Sequence, residues 1–379
     1  MTHLSLGLLG ISLLAVGCTC HTHTIEQDFG MVRVAVTLPT GREPVAVTVG
    51  DFNKDGRTDF ATANSASGTA SVYRNNGDDT FTKTQELAVG AQPTGIVSGN
   101  FDDDGTDYAD LVLSVLEGPG YVETYLGKND GTFVAKGDRS TSAEPNTVAR
   151  GDLDEDKWDD VIVIKPGQSP PRAGILNNKS DGGFETPKDK PVKAGPVDVA
   201  IFQFGGAAYE DFAVVNRDAD SVSAYLRLSA DGTQYSNEIV TSLTSGAKPT
   251  AIAFGDLNGD GKADAVVTNS ATDNVSVLIG NGDGTFKVLD VFPEVGDNPV
   301  AVDVADINRD GNLDAAVANR DSGTVSILIG RGDGTFQSQR TVTVGSKPSD
   351  LRIAPLGDSA SWDIVVTNRG DDTVSVILF

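Results

Sequence analysis

Oxygen-bearing side chains recur in this sequence at spacings that suit a hard divalent cation. Three nine-residue stretches carry acids or amides at positions one, three, five and nine, with glycine at position six. They are Asp51, Asn53, Asp55 and Asp59; Asp256, Asn258, Asp260 and Asp264; and Asp306, Asn308, Asp310 and Asp314. Side-chain oxygens at alternate positions of a tight loop converge on one centre. The backbone carbonyl of position seven (Arg57, Lys262 and Asn312) adds another oxygen, and glycine permits the bend. Calcium is the expected ion, in a structural role, because a loop that wraps its own cation leaves little room for substrate.

Four related stretches depart from this pattern. Asp152, Asp154, Asp156 and Asp160 keep every acid but place Lys157 where glycine is needed, at a cost of about 1 kcal/mol. Asn100, Asp102 and Asp104 are followed by an insertion before Asp110, with Asp107 as a rival ninth ligand. The stretches starting at Gln203 and Pro355 keep only the last acid, Asp211 and Asp363, and are expected to be empty. Acidic turns also cap strands without any metal. Three complete loops at equivalent positions favour the cation. An EF-hand is excluded, since position twelve is Thr62, Val267 or Val317 rather than glutamate and strands follow rather than helices.

The elements that carry these loops repeat seven times. Pro44, Pro93, Pro145, Pro196, Pro249, Pro299 and Pro348 each stand seven residues before a loop start. In the sixth unit, 301–305, 315–319, 324–330 and 339–344 read as strands, and Gly332-Asp333-Gly334-Thr335-Phe336 as a hairpin turn. Four antiparallel strands per unit of about 50 residues is the arithmetic of a propeller blade. The fold is therefore expected to be all-β, a seven-bladed β-propeller. The seventh unit stops after its third strand, 374–379. Asp28-Phe29-Gly30 and the strand 32–38 supply what is missing, so the N-terminal strand completes the last blade.

With the Gly-Asp-Gly-Thr-Phe turns and the Asp-x-Asn-x-Asp-Gly-x-x-Asp loops in view, residues 29–379 resemble an FG-GAP/VCBS repeat protein, related to the integrin α-subunit propeller. The resemblance implies calcium held between the first and second strands of a blade, and partners bound on the opposite face.

The N-terminal segment reads as an export signal. Residues 4–16 form an apolar run too short to span a bilayer, and Ala15-Val16-Gly17-Cys18 resembles a bacterial lipobox. Residues 1–17 are then a signal peptide, although they lack a basic residue. Cys18 is the lipidation site, 18–28 a tether and 29–379 the propeller. An outer-membrane or cell-surface lipoprotein is expected, with plain secretion as the alternative. The only membrane contact would be the lipid anchor.

The net charge of −25 argues against nucleic acid as a partner. Beyond the tether the chain has neither cysteine nor histidine, so no disulfide, zinc cluster or His-based catalysis is available to the body. Gly-x-Ser-x-Gly is absent too. A monomeric, non-enzymatic adhesion or interaction module for a protein or glycan partner is expected. A lectin is the second reading, weakened because only Trp158 and Trp362 are available for stacking. A polysaccharide lyase or hydrolase is the third. The partner-facing side is expected to carry the turns Asn64-Ser65, Asn216-Arg217, Asn269-Ser270, Asn319-Arg320 and Asn368-Arg369, whose equivalent Arg217, Arg320 and Arg369 would suit an acidic glycan or a carboxylate. Arg369-Gly370-Asp371 is an ordinary form of that same turn.

Overall fold

Short runs of Val, Ile, Ala and Thr, broken by Asn, Asp and Gly, form strands because β-branched and small side chains pack well on a pleated surface while the breakers take up the turns. The computed structural model describes residues 32–103, 108–204, 209–289, 293–357 and 362–379. Within them, 28 strands form seven four-stranded antiparallel sheets. The sequence-predicted leader, the tether, Cys18, Phe29, Asp104 and Asp107 lie outside the described residues. Among the described residues, no helix is long and apolar enough to cross a membrane.

Each sheet is one blade, counted here from innermost strand to outermost. The innermost strands are Pro44–Gly50, Pro93–Gly99, Val148–Gly151, Pro196–Phe202, Pro249–Gly255, Pro299–Ala305 and Pro348–Ala354. Each lies against the innermost strands of both neighbouring blades, and Pro44–Gly50 lies against Pro348–Ala354, so the ring is closed. The seventh blade is completed by the first strand of the chain. Arg33–Pro39 pairs antiparallel with Thr373–Leu378, from Arg33 opposite Leu378 to Pro39 opposite Thr373.

The second strand of every blade is buried along all six residues, from Asp59–Asn64 in the first to Asp363–Asn368 in the seventh. Blades stack face to face, so a middle strand never meets solvent. The apolar core is accordingly divided into seven clusters, one at each interface between adjacent blades. The closing interface joins Val47, Phe60 and Tyr73 of blade one to Val365, Val374 and Val376 of blade seven, with Val36 and Leu38 packed alongside.

One sequence expectation changes at this level. Asn64, Asn216, Asn269, Asn319 and Asn368, read as part of a solvent-facing surface, are buried at the ends of second strands. Each donates its Nδ2 at 2.8–3.0 Å to a serine hydroxyl on the third strand: Ser71, Ser223, Ser276, Ser326 and Ser375. They tie strands together. In blade three the asparagine is replaced by Lys165, fully buried and paired with Asp189.

Candidate metal centres

The acidic loops join first to second strands, and the glycine turns join third to fourth. Both lie on one face: the Arg57 Nε donates to the Asn75 carbonyl at 3.1 Å, bringing the first loop against the following turn. Within the loops, side-chain oxygens fold inward. The Asp55 amide donates to Asp51 Oδ1 and Asn53 Oδ1, and the Gly56 amide to Asp51 Oδ2 at 2.8 Å. The same pattern recurs at Asp256, Asn258 and Asp260, and again at Asp306, Asn308 and Asp310. Positions one and three thus present their oxygens to the same position-five amide in all three complete loops. The amides of Arg57, Lys262 and Asn312 at position seven turn back to the position-five carboxylate.

The loop backbone explains the residue choice. Position six has φ of +83° at Gly56, +78° at Gly261 and +89° at Gly311. In blade three Lys157 takes φ +82°, so the loop keeps its shape in spite of the lysine. The Lys157 amide still donates to Asp152 Oδ2 at 3.1 Å. Lys157→Gly should therefore stabilise the protein by about 1 kcal/mol, read by urea unfolding, because a side chain in the left-handed region is strained. A loss of stability would show that the lysine makes a contact that outweighs the strain. Position four is also left-handed, at Lys54, Glu155, Gly259 and Arg309, which the sequence reading did not anticipate. Gly259 was the available hint.

Blade three gathers its acids most closely. Asp152, Asp154 and Asp156 each place a carboxylate oxygen within 4.8 Å of the others. Asp152 Oδ1 and Asp154 Oδ1 are buried without a hydrogen-bond partner, as is Asn100 Oδ1 in blade two. Buried acceptors left without donors carry a desolvation penalty that a cation would remove. Burial, with the charges of Asp154 and Asp156 added to it, pushes Asp160 up to about 8. Burial, with the neighbouring loop acids, takes Asp59 and Asp314 to about 6. Repelling carboxylates of this kind, with no soft ligand among them, fit a hard oxygen-seeking ion such as calcium.

The ninth acid has a second task, visible in every blade. Asp59, Asp110, Asp160, Asp211, Asp264, Asp314 and Asp363 open the second strands and are buried. In each, Oδ2 accepts an amide from the start of its own loop at 2.8–3.2 Å, such as that of Phe52 or Leu356. Oδ1 accepts another at 2.7–3.1 Å from the end of the third strand, such as that of Asn75 or Phe379. This clamp explains why Asp211 and Asp363 persist where the other loop acids are gone.

The loops also join blades. The Phe101 carbonyl accepts the Gly182 amide at 2.7 Å, and the Leu257 carbonyl the Gly334 amide at 3.0 Å, each from the glycine turn of the next blade. The aromatic that ends such a turn packs on the same loop, as Phe133 does on Phe52 with centroids 5.3 Å apart. Arg227 of blade four, fully buried over the Tyr209 ring, reaches the Asp152 carbonyl at 3.2 Å and Glu155 at 2.8 Å. Its role was not legible in sequence, because it depends on two blades meeting.

A cavity of about 760 Å³ runs along the axis, lined by the innermost strand of every blade. Its wall carries Asp198, Asp303, Asp350 and Arg352, which sequence reasoning missed although an acid inside an apolar innermost strand was a usable signal. These acids staple blades: Asp198 accepts the Ile252 amide at 3.0 Å, Asp303 that of Ile353 at 2.9 Å and Asp350 that of Val47 at 2.9 Å. Burial pushes Asp198 up to about 6 and raises Asp303. The Arg352 guanidinium bonds to Asp350 at 2.9 Å.

A seven-bladed β-propeller with acidic inter-strand loops is the class that this geometry defines. The profile of the FG-GAP-like repeat matches residues 51–108, 208–267 and 257–317. No curated protein sequence matches it. Among solved structures, it is similar to the BBS1N chain of a complex with ARL6DN (TM-score 0.64, 13% identity, covering 92% of this chain and 96% of that one). It is also similar to the periplasmic gluconolactonase PpgL of Pseudomonas aeruginosa (0.61, 15%, 82% and 87%) and to a streptogramin B lyase (0.59, 12%, 92% and 96%). At these identities the likeness is one of fold.

Proposed function

We propose that this protein is a calcium-stabilised interaction propeller without catalytic activity, binding its partner on the face away from the acidic loops. The observation that carries this reading is the gathering of Asp152, Asp154 and Asp156, each with an oxygen within 4.8 Å of the others and with Asp152 Oδ1 and Asp154 Oδ1 buried without a donor, in a loop that also meets the next blade through Arg227. A cation there would stiffen the blade interfaces and leave the other face for recognition. The ligands would be the oxygens of positions one, three and five, with the ninth acid shared between ion and clamp.

The partner role draws support from the similarly folded BBS1N chain, whose structure is of a complex with ARL6DN. The lactonase and lyase likenesses do not carry an enzyme reading here. The described residues contain no histidine, and the axial acids are already spent on amides of adjacent blades.

Calorimetric melting in 2 mM calcium and in EDTA tests the calcium claim. With extracellular-type affinity, each occupied site should contribute about 1 kcal/mol. Three or more sites should therefore lower the Tm by several degrees on chelation. An unchanged Tm would sink the claim.

A further inference from the structure

The face opposite the acidic loops carries a cationic cluster that the calcium sites leave unused. Turns after the second strands place Arg217, Arg320 and Arg369 at equivalent positions of blades four, six and seven. Arg217 and Arg320 line the axial cavity of about 760 Å³, and Arg320 and Arg369 line an adjoining cavity of about 580 Å³. Arg320 therefore stands between the two.

The three arginines are not equally satisfied. Arg369 pairs with Glu43 at 2.6 Å, and Arg217 has Asp218 at 3.7 Å. Arg320 is half-buried, and its Nε is buried with no hydrogen-bond partner. The neighbouring Asp321 is engaged elsewhere, its Oδ2 accepting from Asn298 Nδ2 at 3.1 Å. Burial, then the charges of Arg369 and Arg217, lower the Arg320 pKa. An orphaned guanidinium N–H among like charges is costly, and a bound carboxylate removes both penalties.

We propose that this mouth binds the carboxylate of an acidic sugar, a uronate unit of a polysaccharide, with Arg320 as the anchor and Arg217 and Arg369 flanking it. The inference rests on the reading of this face as the recognition surface. A sugar is favoured over a peptide by the surrounding groups. Asn146, Ser270 and Asn298 also line the axial cavity; their N–H and O–H groups donate to Val197, Lys248 and Asp321, and their oxygens can accept from sugar hydroxyls. Peptide interfaces depend on aromatic or large aliphatic anchors. The exposed Phe202 lines the axial cavity only at its acidic-loop end, and Trp362 adjoins the loops of that same face.

Titration calorimetry on the calcium-loaded full chain tests this with three probes: trigalacturonate, its methyl ester and hexaglutamate. Trigalacturonate should bind, more weakly as salt rises, and the ester should not. Arg320→Ala should weaken binding roughly ten-fold or more, the worth of a charge-assisted hydrogen bond. The exposed Arg217→Ala, which leaves the turn backbone untouched, should weaken it less. No binding, or binding indifferent to both substitutions, overturns the proposal. Preference for hexaglutamate overturns the sugar and puts an acidic peptide in its place. The same samples are melted in EDTA. Retained sugar binding without a calcium-dependent Tm would sink the calcium reading alone, and the converse would sink this one alone.

Discussion

Asp211→Ala should destabilise the propeller by about 4 kcal/mol, and by the same amount in calcium and in EDTA. The carboxylate accepts the Phe204 amide at 3.2 Å and the Arg227 amide at 2.8 Å in a fully buried setting. Truncation leaves two buried donors without acceptors, each costing about 1–3 kcal/mol. Blade four is the informative place, since its loop begins at Gln203 and lacks the acids of positions one and three. Any loss there belongs to the clamp and not to a metal. Chemical unfolding in both buffers gives the comparison. A cost below about 1 kcal/mol, or one that disappears in EDTA, would overturn the clamp. Asp260→Ala in blade five is the contrast: its effect should be larger in calcium buffer than in EDTA, where it removes an exposed hydrogen bond from the Lys262 amide.

Deleting residues 1–39 should have the larger effect, lowering the Tm by on the order of 10 °C or more and promoting association. The deletion removes the outer strand of blade seven, with Val34, Val36 and Leu38 that pack on the interfaces beside it. Burial of three such side chains contributes several kcal/mol at about 25 cal/mol per Å². It also bares the edge of Thr373–Leu378, a β-branched apolar strand. Exposed edges of that composition pair with other chains. Removal of residues 1–28 is the control and should leave the Tm unchanged. A synthetic peptide covering residues 30–41, added in trans, should restore the longer form's Tm. If the 1–39 deletion melts like the control, the strand does not close the ring.

Much of this molecule is written in local pattern. The proline and acidic landmarks set the unit length, and Asp314–Asn319 and Thr324–Leu328 lie where alternation and turn residues placed them to within two residues. Ring closure was legible too, because the missing outer strand of the last unit reappears near the start of the chain. The inward-folded acidic loops were readable for the same reason: their side chains all sit within nine consecutive residues, and chain geometry alone brings them together.

Groups whose partners lie on another blade were not readable. Asp198, Asp303 and Asp350 look like isolated acids in apolar strands until the ring sets an amide of the next blade against each. Arg227 gains its role only when blade four meets the blade-three loop. The buried asparagines looked like surface turn residues, since a turn sequence does not say which of its members stacking will cover. Sequence by itself determined the blade, its count and its acidic loops, because these depend on contacts close along the chain. Tertiary structure decided the inter-blade staples and the convergence of Arg217, Arg320 and Arg369 on the channel mouth, because those groups lie a full blade or more apart along the chain and meet only once the ring has closed.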